Sequence, residues 1–139
     1  MNNKDLIAVT SRSFSNNITL RKELLQKYSK VRFNDKNIRL DNDTLVEFLK
    51  GCSKAITALE KIDKSIVSKI PSLKVISKYG VGIDMIDQQA LKDYNIKFNF
   101  PKGVNKRSVS ELTLSMMISL LHRVSESSQL VVQRHWKQV

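Results

Sequence analysis

A single cysteine, Cys52, stands in 139 residues. One thiol excludes an internal disulfide framework and suits a reducing cytoplasm. No apolar run approaches the roughly 18 residues that a membrane span needs. The polar start Met1-Asn-Asn-Lys-Asp5 has no signal-peptide apolar region, so the chain reads as soluble and cytoplasmic. Metal-ligand spacing is also missing: His122, His135 and Cys52 are too few and too scattered for a closed zinc site. Cys52 has no adjacent base in sequence to activate it and reads as structural. The net charge of +11 comes from lysines scattered singly, as at Lys22, Lys27, Lys50, Lys64, Lys69 and Lys92. Without a block of like charges or an aromatic ladder, this argues for a solvated surface and against nucleic-acid binding.

Short apolar runs alternating with amphipathic segments remain. Leu6–Thr10 has strand length and is followed by a Ser/Asn-rich turn from Ser11 to Asn17. Thr19 then caps a helix with Leu20, Leu24, Leu25 and Tyr28 on one face. Val31–Phe33 is a second strand, residues 34–42 a polar loop, and Asp43 precedes the helical Thr44–Leu49, with Gly51 past its end. Ala55–Leu59 is a third strand. Asp63 caps a helix carrying Ile66, Val67 and Ile70, which Pro71 stops. Leu73–Ser77, a helix near Asp87–Tyr94 and the strand Ile96–Phe100 complete the series. Such alternation predicts an α/β fold: a five-stranded parallel sheet flanked by helices. The acidic pairs Glu60/Asp63 and Asp84/Asp87 read more simply as helix caps at Asp63 and Asp87 than as catalytic carboxylates.

Phe100-Pro-Lys-Gly-Val104 breaks the pattern, dividing residues 1–101 from residues 102–139. Ser108-Val-Ser-Glu111 has the form of a capping box, opening a long helix to about Val124. Leu112, Leu114, Met116, Met117, Ile118, Leu120 and Leu121 cover nearly its whole circumference, so it requires burial against another domain or subunit.

Within the sheet pattern, Lys74-Val-Ile-Ser-Lys-Tyr-Gly-Val-Gly-Ile-Asp84 runs from a strand into a glycine-spaced turn. Ligands of open α/β sheets bind beyond the carboxyl ends of strands, and glycine lets backbone amides approach them closely. The turn at Tyr79, Gly80, Val81 and Gly82 is therefore a candidate anion nest, although a lone Gly-x-Gly also serves as an ordinary connection.

Together with Gly103-Val-Asn-Lys-Arg-Ser-Val-Ser-Glu-Leu112, about twenty residues further on, that segment resembles the D-isomer-specific 2-hydroxyacid dehydrogenases, phosphoglycerate dehydrogenase-like members in particular. The resemblance spans the chain but only the leading part of a family member. It implies a flavodoxin-like substrate domain in residues 1–101, with 102–139 forming the hinge and first helix of a truncated cofactor-binding domain. It also implies a 2-hydroxy or 2-oxo acid held by Tyr79–Gly82, Asn105 at the hinge, Val109 near the nicotinamide of NAD, and a homodimer through the 109–121 helix.

The departures matter as much. No Gly-x-Gly-x-x-Gly with a following acid occurs in these residues, and the family's catalytic arginine, glutamate and histidine have no counterparts. His122 fits a helix C-terminus, and His135 lies in Arg134-His-Trp-Lys137, which resembles the approach to the missing glycine-rich strand. Met85 stands where many members have asparagine, and Pro101 lies one position early. The expectation is a substrate-domain portion inactive alone. The competing expectations are a carboxylate-binding or dimerisation module without catalysis, and a flavodoxin-like response or nucleotide-binding domain. The last lacks a phosphate loop and an acidic cluster near its first strand.

Overall fold

In the computed structural model, residues 5–135 are described, and they fall into two units divided between Lys102 and Gly103. The first is built on strands β1 (Ile7–Val9), β2 (Val31–Phe33), β3 (Lys54–Thr57), β4 (Val75–Lys78) and β5 (Lys97–Asn99). All pair in parallel, in the order β2-β1-β3-β4-β5. This is the parallel sheet that the alternating pattern predicts, in the flavodoxin-like order that the family resemblance implies.

Alternation along the strands sends successive side chains to opposite faces. Ala8, Ala55 and Ile76 meet Leu45 and Leu49 of α3 (Asn42–Leu49), Ile66 and Val67 of α4 (Lys64–Val67), and Ala90 and Leu91 of α5 (Gln88–Asp93). Val9 and Phe33 point the other way, onto Phe14 of α1 (Arg12–Asn16) and Leu20 and Leu24 of α2 (Ile18–Lys27). Each fully buried leucine, isoleucine or valine among them contributes about 1.5–3 kcal/mol, which lets strands of three or four residues hold together.

Several local expectations need correction. The segment after β1 is not a plain turn: Ser11 Oγ accepts from Phe14 N–H at 3.2 Å and starts α1. Asn17, not Thr19, caps α2, accepting from Leu20 N–H at 3.0 Å. Leu25 is half exposed, off the packed stripe. Residue Asp43 sits inside α3, whose cap is Asp41. The third strand ends at Thr57, leaving Leu59 exposed. The caps at Asp63 and Asp87 are as expected.

The second unit holds α6 (Lys106–Leu121) and α7 (Val124–Val132). Its helix starts two residues before the expected box: Asn105 occupies the cap position, and Ser108 lies within the first turns. Glu111 does not reach back, because Arg107 Nε donates to its carboxylate at 2.7 Å one turn away. The long helix ends at Leu121, where Arg123 takes a left-handed φ of 50° before α7. The apolar side chains of α6 are exposed in this chain, from Val109 at 52% to Leu121 at 79%. No helix among the described residues is long and apolar enough to cross a membrane. The segment Arg134–Lys137 lies partly outside the described residues.

Candidate functional site

The chain leaves β1 for β2 on one side and later returns to lay β3 on the other side of β1. That reversal of strand order opens a crevice at the carboxyl edge, the usual ligand position in doubly wound sheets. A cavity of about 370 Å³ occupies this edge. Ser11, Arg12 and Ser13 line it after β1, Ala58, Leu59 and Glu60 after β3, and Tyr79 after β4, with Arg39 and Leu40 from the loop before α3. A larger hollow of about 690 Å³ lies beside β2 and α3. Its Arg32 donates to the carbonyls of Phe48 and Lys50, closing the end of α3. That hollow sits off the switch point, and size alone does not make it the site.

Tyr79 begins the glycine turn. Its N–H donates to Thr57 O at 2.7 Å, and its ring meets Phe14 edge-on with centroids 5.3 Å apart. These contacts fix where the turn leaves the sheet. Gly80 has φ +132°, a conformation that L side chains rarely adopt, so glycine is required there by backbone shape. The N–H groups of Gly80, Val81 and Gly82 donate no hydrogen bond among the described residues. The chain then bridges Ile86 to Ile62, and α5 begins only at Gln88. The turn is therefore not a strand-to-helix phosphate loop: no helix opens directly from it, and the half-buried Met85 stands where a third glycine would be needed.

Beneath the turn lies a side chain that pattern reading does not find. Lys78 is 5% exposed, its ammonium donates to Ala58 O, and Nζ lies 3.7 Å from where a Cβ on Gly80 would be. Burial lowers its pKa, and Glu60 acts in the opposite sense. Glu60 Oε2 accepts from Ala58 N–H at 2.6 Å. Thr57, paired with Lys78 in register, keeps a buried Oγ1 without a hydrogen-bond partner. A positive charge thus sits under the turn in a poorly hydrated setting, where it acts over a longer range than at the surface.

Among the other expected site residues, Val81 is half-buried and Gly82 exposed. Asn105 and Val109 belong to the second unit, one helical turn apart, with Val109 N–H donating to Asn105 O at 3.0 Å. Arg12, Arg39 and Lys78 were missed from the sequence, and Glu60 was weighed there only in a pair with Asp63. Applying the carboxyl-edge rule to the ends of β1 and β3, as well as β4, finds Arg12 and Glu60. No cluster of metal-binding side chains is present among the described residues. The residues present do not fit a dinucleotide either, because the four glycines stand at positions 51, 80, 82 and 103 and make no Gly-x-Gly-x-x-Gly. Cys52 is buried, and burial raises its pKa, consistent with a structural thiol.

Topology and crevice define a doubly wound, flavodoxin-like domain with its cleft at the switch point. Residues 7–134 match the family described as D-isomer specific 2-hydroxyacid dehydrogenase, catalytic domain, and the chain belongs to that family. A Staphylococcus aureus protein whose name places it among the 2-hydroxyacid dehydrogenases is 26% identical over 109 residues, 78% of this chain and 34% of that protein. The D-lactate dehydrogenase of Aquifex aeolicus, solved with NAD and lactic acid, superposes with a TM-score of 0.77 at 19% identity. That match covers 97% of this chain and 39% of the other. The NAD+-bound 3-phosphoglycerate dehydrogenase of Entamoeba histolytica gives 0.65 at 24% identity, over 83% and 39%. At these identities the structural likenesses show the fold. The chain spans about a third of the curated relative's length.

Proposed function

We propose that this chain is the substrate-binding portion of an NAD-dependent oxidoreductase acting on the CH–OH group of a 2-hydroxy acid. In this reading residues 1–101 form the substrate domain, and 102–139 the hinge and first helix of a cofactor-binding domain. The glycine turn carries the proposal. Three successive unengaged N–H groups at a strand's carboxyl edge, above a buried ammonium, suit a carboxylate. Tyr79, Gly80, Val81 and Gly82 hold the substrate's carboxylate, and Asn105 borders the substrate at the hinge. Val109 approaches the nicotinamide in the complete enzyme. NAD would supply hydride transfer when bound, but these 139 residues carry no Gly-x-Gly-x-x-Gly to grip its phosphates. The reaction belongs to the cytoplasm, where reducing conditions keep Cys52 a thiol.

Calorimetric titration of the purified chain tests this reading. Pyruvate binds with a Kd of about 1 mM, while NAD does not bind and no 2-hydroxy acid is turned over with it. Saturable NAD binding or NAD-dependent turnover contradicts the assignment of the cofactor site elsewhere. Failure of pyruvate to bind contradicts the substrate site. A second reading, a homodimerisation module through α6, is favoured by the exposed apolar side chains of that helix and is compatible with the first.

A further inference from the structure

The edge of the sheet opposite the crevice carries a charge pattern of its own. All five strands are parallel, so the helix before each strand ends at the edge where that strand begins. Lysines that stand singly in the sequence meet there. Lys27 and Lys92 lie in the last turns of α2 and α5, and Lys50 caps the end of α3. Lys54 and Lys97 open β3 and β5, while Lys30 and Lys74 immediately precede β2 and β4. Backbone bonds fasten this row: Ile7 N–H donates to Lys30 O at 3.0 Å, Lys74 N–H to Ser53 O at 2.8 Å, and Lys97 N–H to Lys74 O at 2.9 Å. From β2 to β5 it spans four strand spacings, about 19 Å.

The acids beside the row are engaged. Asp5 pairs with Lys54 at 2.8 Å and Glu47 with Lys50 at 3.3 Å, and Asp93 accepts from the Gln89 amide at 2.8 Å. Lys27, Lys30, Lys74, Lys92 and Lys97 are exposed and make no ion pair among the described residues. A cation at a helix end complements the helix dipole, which accounts for Lys27, Lys50 and Lys92 but not for Lys30, Lys74 and Lys97. Two tyrosines stand among them, Tyr28 at the end of α2 and Tyr94 at the end of α5. Tyr94 is 36% exposed, and Lys54 Nζ lies 4.9 Å from the centre of the Tyr28 ring.

We propose that this basic edge binds single-stranded nucleic acid, its lysines meeting successive phosphates and its tyrosines offering faces to the bases. The single spacing of the lysines in sequence argues against such a partner, but the parallel topology sets them in one row. Aromatic faces among the cations favour a nucleic acid over an acidic protein or a membrane surface. The edge lies away from the glycine turn, so this binding is independent of what the turn holds.

Fluorescence anisotropy of a labelled oligouridylate of about 12 nucleotides, titrated with the whole chain, tests this. Binding is expected with a Kd of about 10 μM at low salt, its logarithm changing with log salt at a slope of magnitude about 3. Lys30→Gln, Lys74→Gln and Lys97→Gln together weaken it at least about tenfold and reduce that slope by about 2. Tyr94→Ala weakens it at least about fivefold. Lys22→Gln, Lys36→Gln and Lys64→Gln together remove the same charge from exposed positions elsewhere and leave most of the affinity. Equal losses in the two triple variants reduce the effect to net charge and overturn the inference, as does the absence of saturable binding. Capture of oligoglutamate or phosphatidylglycerol vesicles with the oligouridylate unbound assigns another partner to the edge and overturns it too.

Discussion

Asp63 shows how much one side chain organises. Its Oδ1 accepts from Ser65 N–H at 2.9 Å and Ile66 N–H at 3.3 Å, and Lys61 lies 3.0 Å from Oδ2. The Ser65 hydroxyl first, then Lys61, hold its carboxyl down at about 2, from an ordinary 3.8. The folded chain thus binds this proton less readily than the unfolded one. The stabilisation is complete above the ordinary value and is lost as pH falls towards about 2. Asp63→Ala is expected to cost about 1 kcal/mol at neutral pH, measured by urea denaturation, with the gap to wild type closing between about pH 4 and pH 2. A gap independent of pH contradicts this assignment. The cap was readable because Asp63 stands alone before an apolar run. Lys78 was not: only the register that sets it beside Thr57 reveals that this lysine is buried.

At the scale of elements, strands were more legible than helix starts. A run such as Leu6–Thr10 has one good use, a buried strand. The segment after β1 instead offers Ser11, Ser13, Ser15, Asn17 and Thr19 as caps within one stretch. The choice falls to packing: seating Phe14 against Val9 and Phe33 draws the chain into α1, and Asn17 is then left to cap α2. The Ser108–Glu111 box failed in a related way, since Arg107 competes for Glu111. Asn34 was read as part of a polar loop, yet it is buried and its amide bridges the carbonyls of Thr10 and Ile38. Its role depends on two chain segments meeting. The apolar face of α6 was legible, and it yields a prediction. Sedimentation of the wild-type chain is expected to show self-association, and Met116→Glu with Leu120→Glu to weaken it at least about tenfold. A wild-type monomer with an ordered α6 contradicts a dimer through this helix.

For the whole molecule, the parallel order β2-β1-β3-β4-β5 matters most, because it collects ends far apart in sequence at one crevice. The glycine turn was visible from its local spacing. Its neighbours Arg12 and Arg39 were not, and Glu60 was weighed only as a partner of Asp63, because topology and not local spacing brings these residues to the turn. What the turn binds is the central claim, and backbone amide spectra of the 15N-labelled chain test it most directly. On titration with pyruvate, the Gly80, Val81 and Gly82 amides are predicted to shift most, saturating together with a Kd of about 1 mM. Saturable shifts confined to the hollow beside β2 and α3, with those three amides unmoved, would contradict it.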